Sequence, residues 1–329
     1  MTRLPIAKTP KVYVGGAFIR SESGRTFPIK GADGKFFANI PQCTRKDLRN
    51  AVEAAAKAGP GWARRTPYNR GQILYRLGEM LEARKADMTD ALTLGAATPL
   101  GSPKLASGGG SSPSTSRNGG TTRPASFAKP TEPRGGRVSK SSARREIAAT
   151  VDRLIYYAGW ADKYEQVLGN VNPVASPHFN FTVTEPMGIV GVIAPEEAPL
   201  LGLISLIAPV IVSGNTVVAL ASTTQPYPAI VLGEMLATSD LPGGVVNLLT
   251  GFRKELLPTF ATHTHLRGLA AVANADERKT LKLGAAESVK RTHLLKSEEP
   301  RDWFKVSAQS LYAIRDFLEV KTTWHPIGA

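Results

Sequence analysis

The sequence predicts an α/β fold, a doubly wound parallel sheet. Three stretches carry that prediction. "GIVGVIA" (188–194), "NTVVALA" (215–221) and "VVNLLTG" (245–251) are short, unbroken apolar runs, the pattern of strands covered on both faces. Between the first two, an apolar segment opened by Pro199 runs as a helix towards Gly214. A second helix spans Pro228 to Ala237, and Leu241-Pro242-Gly243-Gly244 turns the chain into the third strand. Strand, helix, strand, helix, strand with short connections is a parallel unit with right-handed crossovers.

Upstream, "YVGGAF" followed by "RTFPI" predicts a hairpin. Thr44 and Asp47 form a capping-box pattern before Leu48, Val52 and Ala55, which share a helix face. Thr66-Pro67 is an N-cap and first-turn pair, and behind it Ile73, Leu74, Leu77, Met80 and Leu81 make an apolar stripe. Further on, Ile147, Val151, Leu154, Ile155 and Ala158 make another. Such stripes are core-packing faces and need no ligand.

Residues 99–142 are different in kind: Gly, Pro and Ser fill 24 of the 44 positions. Apolar side chains are too few there to offset the entropy of ordering, so the sequence predicts a disordered linker or insertion. The divisions that follow are 1–98, an N-terminal part; 99–142, the linker; 143–316, the sheet unit, degenerate after 260; and 317–329, a terminal strand.

The net charge of +14 raises the question of nucleic acid. The linker alone carries seven Lys or Arg against one Glu. The rest is spread thinly, with no basic helix interleaved with aromatics, so a solvated surface is the reading and nucleic-acid binding through the linker a lesser alternative. The one cysteine, Cys43, excludes an internal disulfide and fits a reducing cytoplasm. The most apolar run, 199–214, is short for a membrane span. His263 and His265, two apart with no acidic or thiol ligand at a useful spacing, do not predict a metal site.

"EPMGIVGVIAP", "IAPVIVSGNTVV" and "LPGGVVNLLTG", in this order and spacing, resemble the aldehyde dehydrogenase superfamily. "YVGGAF" and the segment "AVEAAAKAGPGWARRTPYNRGQILYRLGEMLEARKADM" resemble its N-terminal part. "FNFTVTEP" and "FLEVKTTWHP" are similar to its oligomerisation hairpin and C-terminal strand. The overall form resembles divergent actinobacterial members that lack the catalytic domain and accompany a complete aldehyde dehydrogenase. The resemblance implies an aldehyde-dehydrogenase-like cofactor domain. It also implies a cytoplasmic homo- or hetero-oligomer with an aldehyde dehydrogenase, and no membrane association.

The family attacks the aldehyde with a cysteine thiolate and passes hydride to NAD(P). Only about 55 residues separate Phe260 from Phe317, so the resemblance leaves no room for the family's catalytic domain. No catalytic residue is assigned, and Cys43 reads as an ordinary small residue. Where the family shows Pro-Trp-Asn-Phe-Pro, this chain has Pro195-Glu196-Glu197-Ala198-Pro199. Where it shows Lys-Pro-x-Glu to hold the adenosine ribose, this chain has Leu220-Ala221-Ser222-Thr223. "RGLAAVANADERK" has no Gly-Ser-Thr phosphate turn, and "KLGAAESVK" keeps only a trace of Glu-Leu-Gly-Gly-Lys in Glu287. What remains of a cofactor site is vestigial: Ile193, Ala194, Pro195, Glu197 and Gly251. Glu196 and Glu197 read as a solvated turn. The expectation is a partner or structural subunit, inactive by itself, with no cofactor and no metal; the alternative is an NAD(P)-dependent oxidoreductase acting on an aldehyde group.

Overall fold

A computed structural model describes residues 9–31, 34–94, 138–299 and 301–328. The linker of the sequence reading lies mostly outside them; at its far end, Ser139 already caps a helix that begins at Lys140.

The main sheet has seven strands in the order β11-β10-β7-β8-β9-β1-β2. Its parallel part consists of β7 (Ile189–Ile193), β8 (Thr216–Leu220), β9 (Val246–Leu249), β10 (Leu266–Ala273) and β11 (Arg291–Lys296). The hairpin β1 (Val12–Val14) and β2 (Ala17–Ile19) extends it antiparallel beyond β9. So the N-terminal part completes the same sheet. The hairpin is tighter than the sequence reading: it turns at Gly15 and Gly16 within "YVGGAF". "RTFPI" instead belongs to β3 (Thr26–Lys30), which pairs with β4 (Phe36–Pro41) in a separate small sheet. Both glycines have positive φ, and a Cβ on Gly16 would lie 2.9 Å from the backbone of Gly243. Turn conformation and close approach exclude side chains there.

Side chains alternate between two apolar layers, as a period of two requires. Val190, Val192, Val217 and Ala219 pack with α2 (Pro67–Ala83), α4 (Lys140–Trp160), α6 (Leu201–Val212) and α7 (Tyr227–Leu236). Ile189, Ile193, Val218 and Leu220 pack with α1 (Arg45–Ala63), α8 (Arg253–Thr262) and α9 (Ala275–Ala286). Gly191 earns its place by packing: a Cβ there would meet Phe260 Cδ1 at 2.8 Å. The short helix α3 (Lys85–Thr93) and a one-turn α5 (Tyr164–Leu168) complete this part.

The caps form as the sequence predicts. Asp47 accepts from the backbone of Thr44, and Thr66 Oγ1 accepts from Asn69 N. The stripe on α4 is rotated from the predicted one. Ile147 and Leu154 are buried, but Ile155 is exposed, and the buried face takes in Glu146, Thr150 and Arg153. Polar side chains sit inside because each finds a partner, which a hydrophobic count does not register.

The sequence reading finds three parallel strands; the structure has five. Strand β10 is rich in Gly and Ala, poor strand formers in isolation. It is extended because β7 and β11 supply hydrogen bonds on both edges.

A third sheet, of three strands, stands apart, with β6 (His178–Pro186) central between β5 (Asn170–Asn172) and β12 (Leu318–Pro326). The β6–β12 register runs unbroken from Pro186 opposite Leu318 to His178 opposite Pro326. The expected hairpin and terminal strand are therefore paired within one chain. Helix α10 (Leu311–Arg315) leads into β12. Asn215 fastens this end to the main sheet: its Nδ2 donates to Phe317 O at 2.8 Å and its Oδ1 accepts from Gly188 N at 2.8 Å. No helix among the described residues is long and apolar enough to cross a membrane.

Candidate functional site

In an open parallel sheet the ligand crevice lies beyond the strand C-termini where connections diverge. Here β8 follows β7 on one side and β10 flanks it on the other, so the switch point lies between β7 and β10. All five predicted cofactor-site residues fall on this edge. Ile193 and Ala194 are buried at the end of β7. Pro195 packs against α6. Gly251, with φ 154°, receives Thr223 Oγ1 on its carbonyl at 3.3 Å. Glu197 is exposed and faces solvent.

Glu196 corrects the expectation of a solvated turn. Its Oε2 accepts from Ser222 Oγ at 2.7 Å, Thr224 N at 2.9 Å and Thr224 Oγ1 at 2.8 Å. Its Oε1 accepts from Thr223 N at 3.2 Å and faces Arg253 Nη1 at 3.4 Å. Burial alone would raise the pKa of this carboxyl. The bonds from Thr224 and Ser222, with the charge of Arg253, outweigh it and hold the carboxyl below its ordinary range.

Arg253 spans the switch point. Nη1 donates to Ala194 O at 3.3 Å, beyond β7, and Nη2 donates to Val272 O on β10. Its Nε lies 3.0 Å from Glu277 Oε1. Glu277 in turn caps α9, its Oε2 accepting from Asn274 N at 3.1 Å while Asn274 Oδ1 accepts from Glu277 N at 2.9 Å. The neighbouring Ala275 N donates to Glu298 at 2.7 Å.

The N-terminus of α6 is closed in the same way. Glu146 reaches across from α4, and its Oε1 accepts from Leu200 N at 3.0 Å and Leu201 N at 3.1 Å. Burial raises the pKa of Glu146, and the two N–H bonds offset only part of that.

A helix N-terminus or an amide-rich turn at this edge is where the fold class receives phosphate. In this chain three of those places already hold a carboxylate: Glu146 on α6, Glu277 and Glu298 on α9, Glu196 on the β8–α7 turn. One like charge about 5 Å from a phosphate costs roughly 3 kcal/mol at an effective dielectric of about 20. The residues present do not fit a dinucleotide. Leu220 and Ala221, where the resemblance places the first two positions of the ribose-holding motif, are buried in the apolar layers.

Sequence reasoning missed Arg253, Glu146, Thr224 and Glu277. Only Glu277 left a signal, the Asn274/Glu277 capping spacing in "NADE". Cys43 lies behind this edge, fully buried, with its N–H donating to Thr250 O at 2.9 Å. Burial pushes its thiol up to about 12. His263 and His265 sit at the exit of α8 with ring centroids 5.9 Å apart. No cluster of metal-ligating side chains occurs among the described residues. Glu287 is exposed at the C-cap of α9.

Fold and crevice define a doubly wound α/β protein. The sequence profile of the aldehyde dehydrogenase family matches residues 18–105 and 131–297. Retinal dehydrogenase 2 from Gallus gallus is 28% identical over 285 residues, covering 85% of this chain and 47% of that protein. An aldehyde dehydrogenase from Davidiella tassiana is 28% identical over 286 residues, covering 86% and 49%. The NAD+ complex structure of aldehyde dehydrogenase from Bacillus cereus superposes with a TM-score of 0.71 at 22% identity, over 88% of this chain and 51% of that one. The chain belongs to the aldehyde dehydrogenase family. It spans about half the length of the curated relatives it matches.

Proposed function

We propose that this chain is a non-catalytic member of the family, acting in the cytoplasm as a partner or structural subunit of a complete aldehyde dehydrogenase. The observation that carries the reading is the state of its one thiol. A nucleophilic cysteine needs a thiolate and access to substrate. Cys43 is fully buried, and its thiol is pushed up to about 12.

Two further features support it. Residues 297–317 alone connect β11 to β12, too short a span to hold a domain core. The three-stranded sheet of β5, β6 and β12 also has the character of a pairing surface. Val171, Phe179, Val183, Val320 and Trp324 are exposed on it, and β12 is an edge strand. An exposed edge with apolar side chains favours pairing with another chain. The carboxylates in the crevice argue against NAD(P); family membership is what supports the oxidoreductase alternative.

The test is purification from the native cell with native mass spectrometry, alongside an assay of NADH formation from short aldehydes. An identified complete aldehyde dehydrogenase subunit in the complex, with no turnover by the isolated chain, is the expected result. Turnover by the isolated chain would overturn the reading.

A further inference from the structure

We propose that the turn between β8 and α7 is a small-oxyanion site whose resident occupant is the chain's own Glu196, and that removing this carboxylate opens the turn to inorganic phosphate or acetate. Five donors converge on Glu196. Four come from three consecutive residues, Ser222, Thr223 and Thr224, and the fifth is the Arg253 guanidinium. Successive backbone N–H groups aimed at one point form a concavity suited to an anion, and two hydroxyls and a cation complete it. A neutral side chain has no use for such a set, because only an ionised oxyanion offers enough acceptor capacity.

The donors are held independently of their occupant. Ser222 Oγ also accepts from Gln225 N at 3.0 Å, and Thr223 Oγ1 donates to Gly251 O. Arg253 is also anchored by its bonds to Ala194 O and Val272 O, neither of which involves Glu196. The occupant, by contrast, comes from a separate loop. That loop includes Ala198 at φ 52°, a left-handed conformation unfavourable for a residue with a Cβ. The Glu196 side chain is 33% exposed, so the site opens to solvent on that side. The charges facing the turn once Glu196 is gone are Arg253 and, behind it, Glu277. A small oxyanion is therefore accommodated, whereas an extended polyanion meets Glu277. This holds whether or not the chain pairs with a second protein.

The experiment compares the full wild-type chain with Glu196→Ala and Glu196→Ser. Thermal unfolding is followed against sodium phosphate and sodium acetate, with sodium chloride at matched ionic strength as control. Phosphorus NMR of inorganic phosphate supplies a direct binding readout. The expected result is a saturable rise in Tm for Glu196→Ala with phosphate or acetate but not chloride, and phosphate binding at least about tenfold tighter than wild type. Should Glu196→Ala fail to fold, phosphate line broadening with Glu196→Ser, which also vacates the turn, decides instead. An identical response of wild type and variants to all three salts, or no phosphate binding by either variant, overturns the site. None of these readouts involves aldehyde turnover or a partner, so failure here leaves the subunit reading intact.

Discussion

Arg153 and Trp303 stand 150 positions apart in sequence and are joined by a 2.9 Å bond from Arg153 Nη2 to the Trp303 carbonyl. The same guanidinium donates from Nη1 to Ser205 Oγ at 2.6 Å and Ala308 O at 2.9 Å. Arg153 is buried, 3% exposed, and burial lowers its pKa. Three segments distant in sequence are thus tied by one side chain: helix α4, helix α6 and the connection into β12.

Truncating this tie should be costly. Arg153→Ala removes three charge-assisted bonds and strands the buried Trp303 carbonyl, and the expected loss of unfolding free energy is about 3 kcal/mol. Urea denaturation measures it. A loss below about 1 kcal/mol would mean water replaces the guanidinium.

Glu196 should impose acid sensitivity. Its folded pKa lies below the ordinary 4.5. Its contribution is therefore complete above that value and is lost as pH falls through the folded pKa. Glu196→Gln is expected to cost about 1 to 3 kcal/mol at neutral pH and to flatten the acid limb of stability against pH. Equal slopes for variant and wild type would show that the carboxylate is not ionised in its turn.

Cys43 should resist alkylation in the native protein. With the thiol at about 12 and full burial, the thiolate is scarce and unreachable. Labelling by a thiol reagent at mild alkaline pH is expected to follow global unfolding, becoming fast only in denaturant. Rapid labelling of folded protein would expose a route to the sulfur and revive a nucleophilic role.

Gly202→Ala should destabilise the turn that presents Glu196. An added Cβ would come within 2.3 Å of Pro195 Cγ, far inside contact distance, so α6 or the turn must shift. A lowering of Tm by several degrees is expected, of the order of 1 to 3 kcal/mol. Calorimetry reads the change, and an unchanged Tm would mean that the Pro195 turn yields freely.

The apolar runs of β7, β8 and β9, the Thr44 and Thr66 caps and the single thiol were legible in sequence because each depends on a residue and its near neighbours. Burial on both faces selects for unbroken apolar runs, and a cap needs partners within one helical turn. The fate of Glu196 was not legible. Its Arg253 contact lies 57 positions away and its Ser222 contact 26, and only the crossovers of the sheet bring those loops to one edge. Nor could sequence reveal β10, whose small residues are extended by their neighbours rather than by preference. Sequence by itself determined the fold class and the family. Tertiary structure alone decided that the crevice is filled with paired charge: a lone carboxylate in a turn is solvated, and the same carboxylate among five converging donors is a fixed ligand.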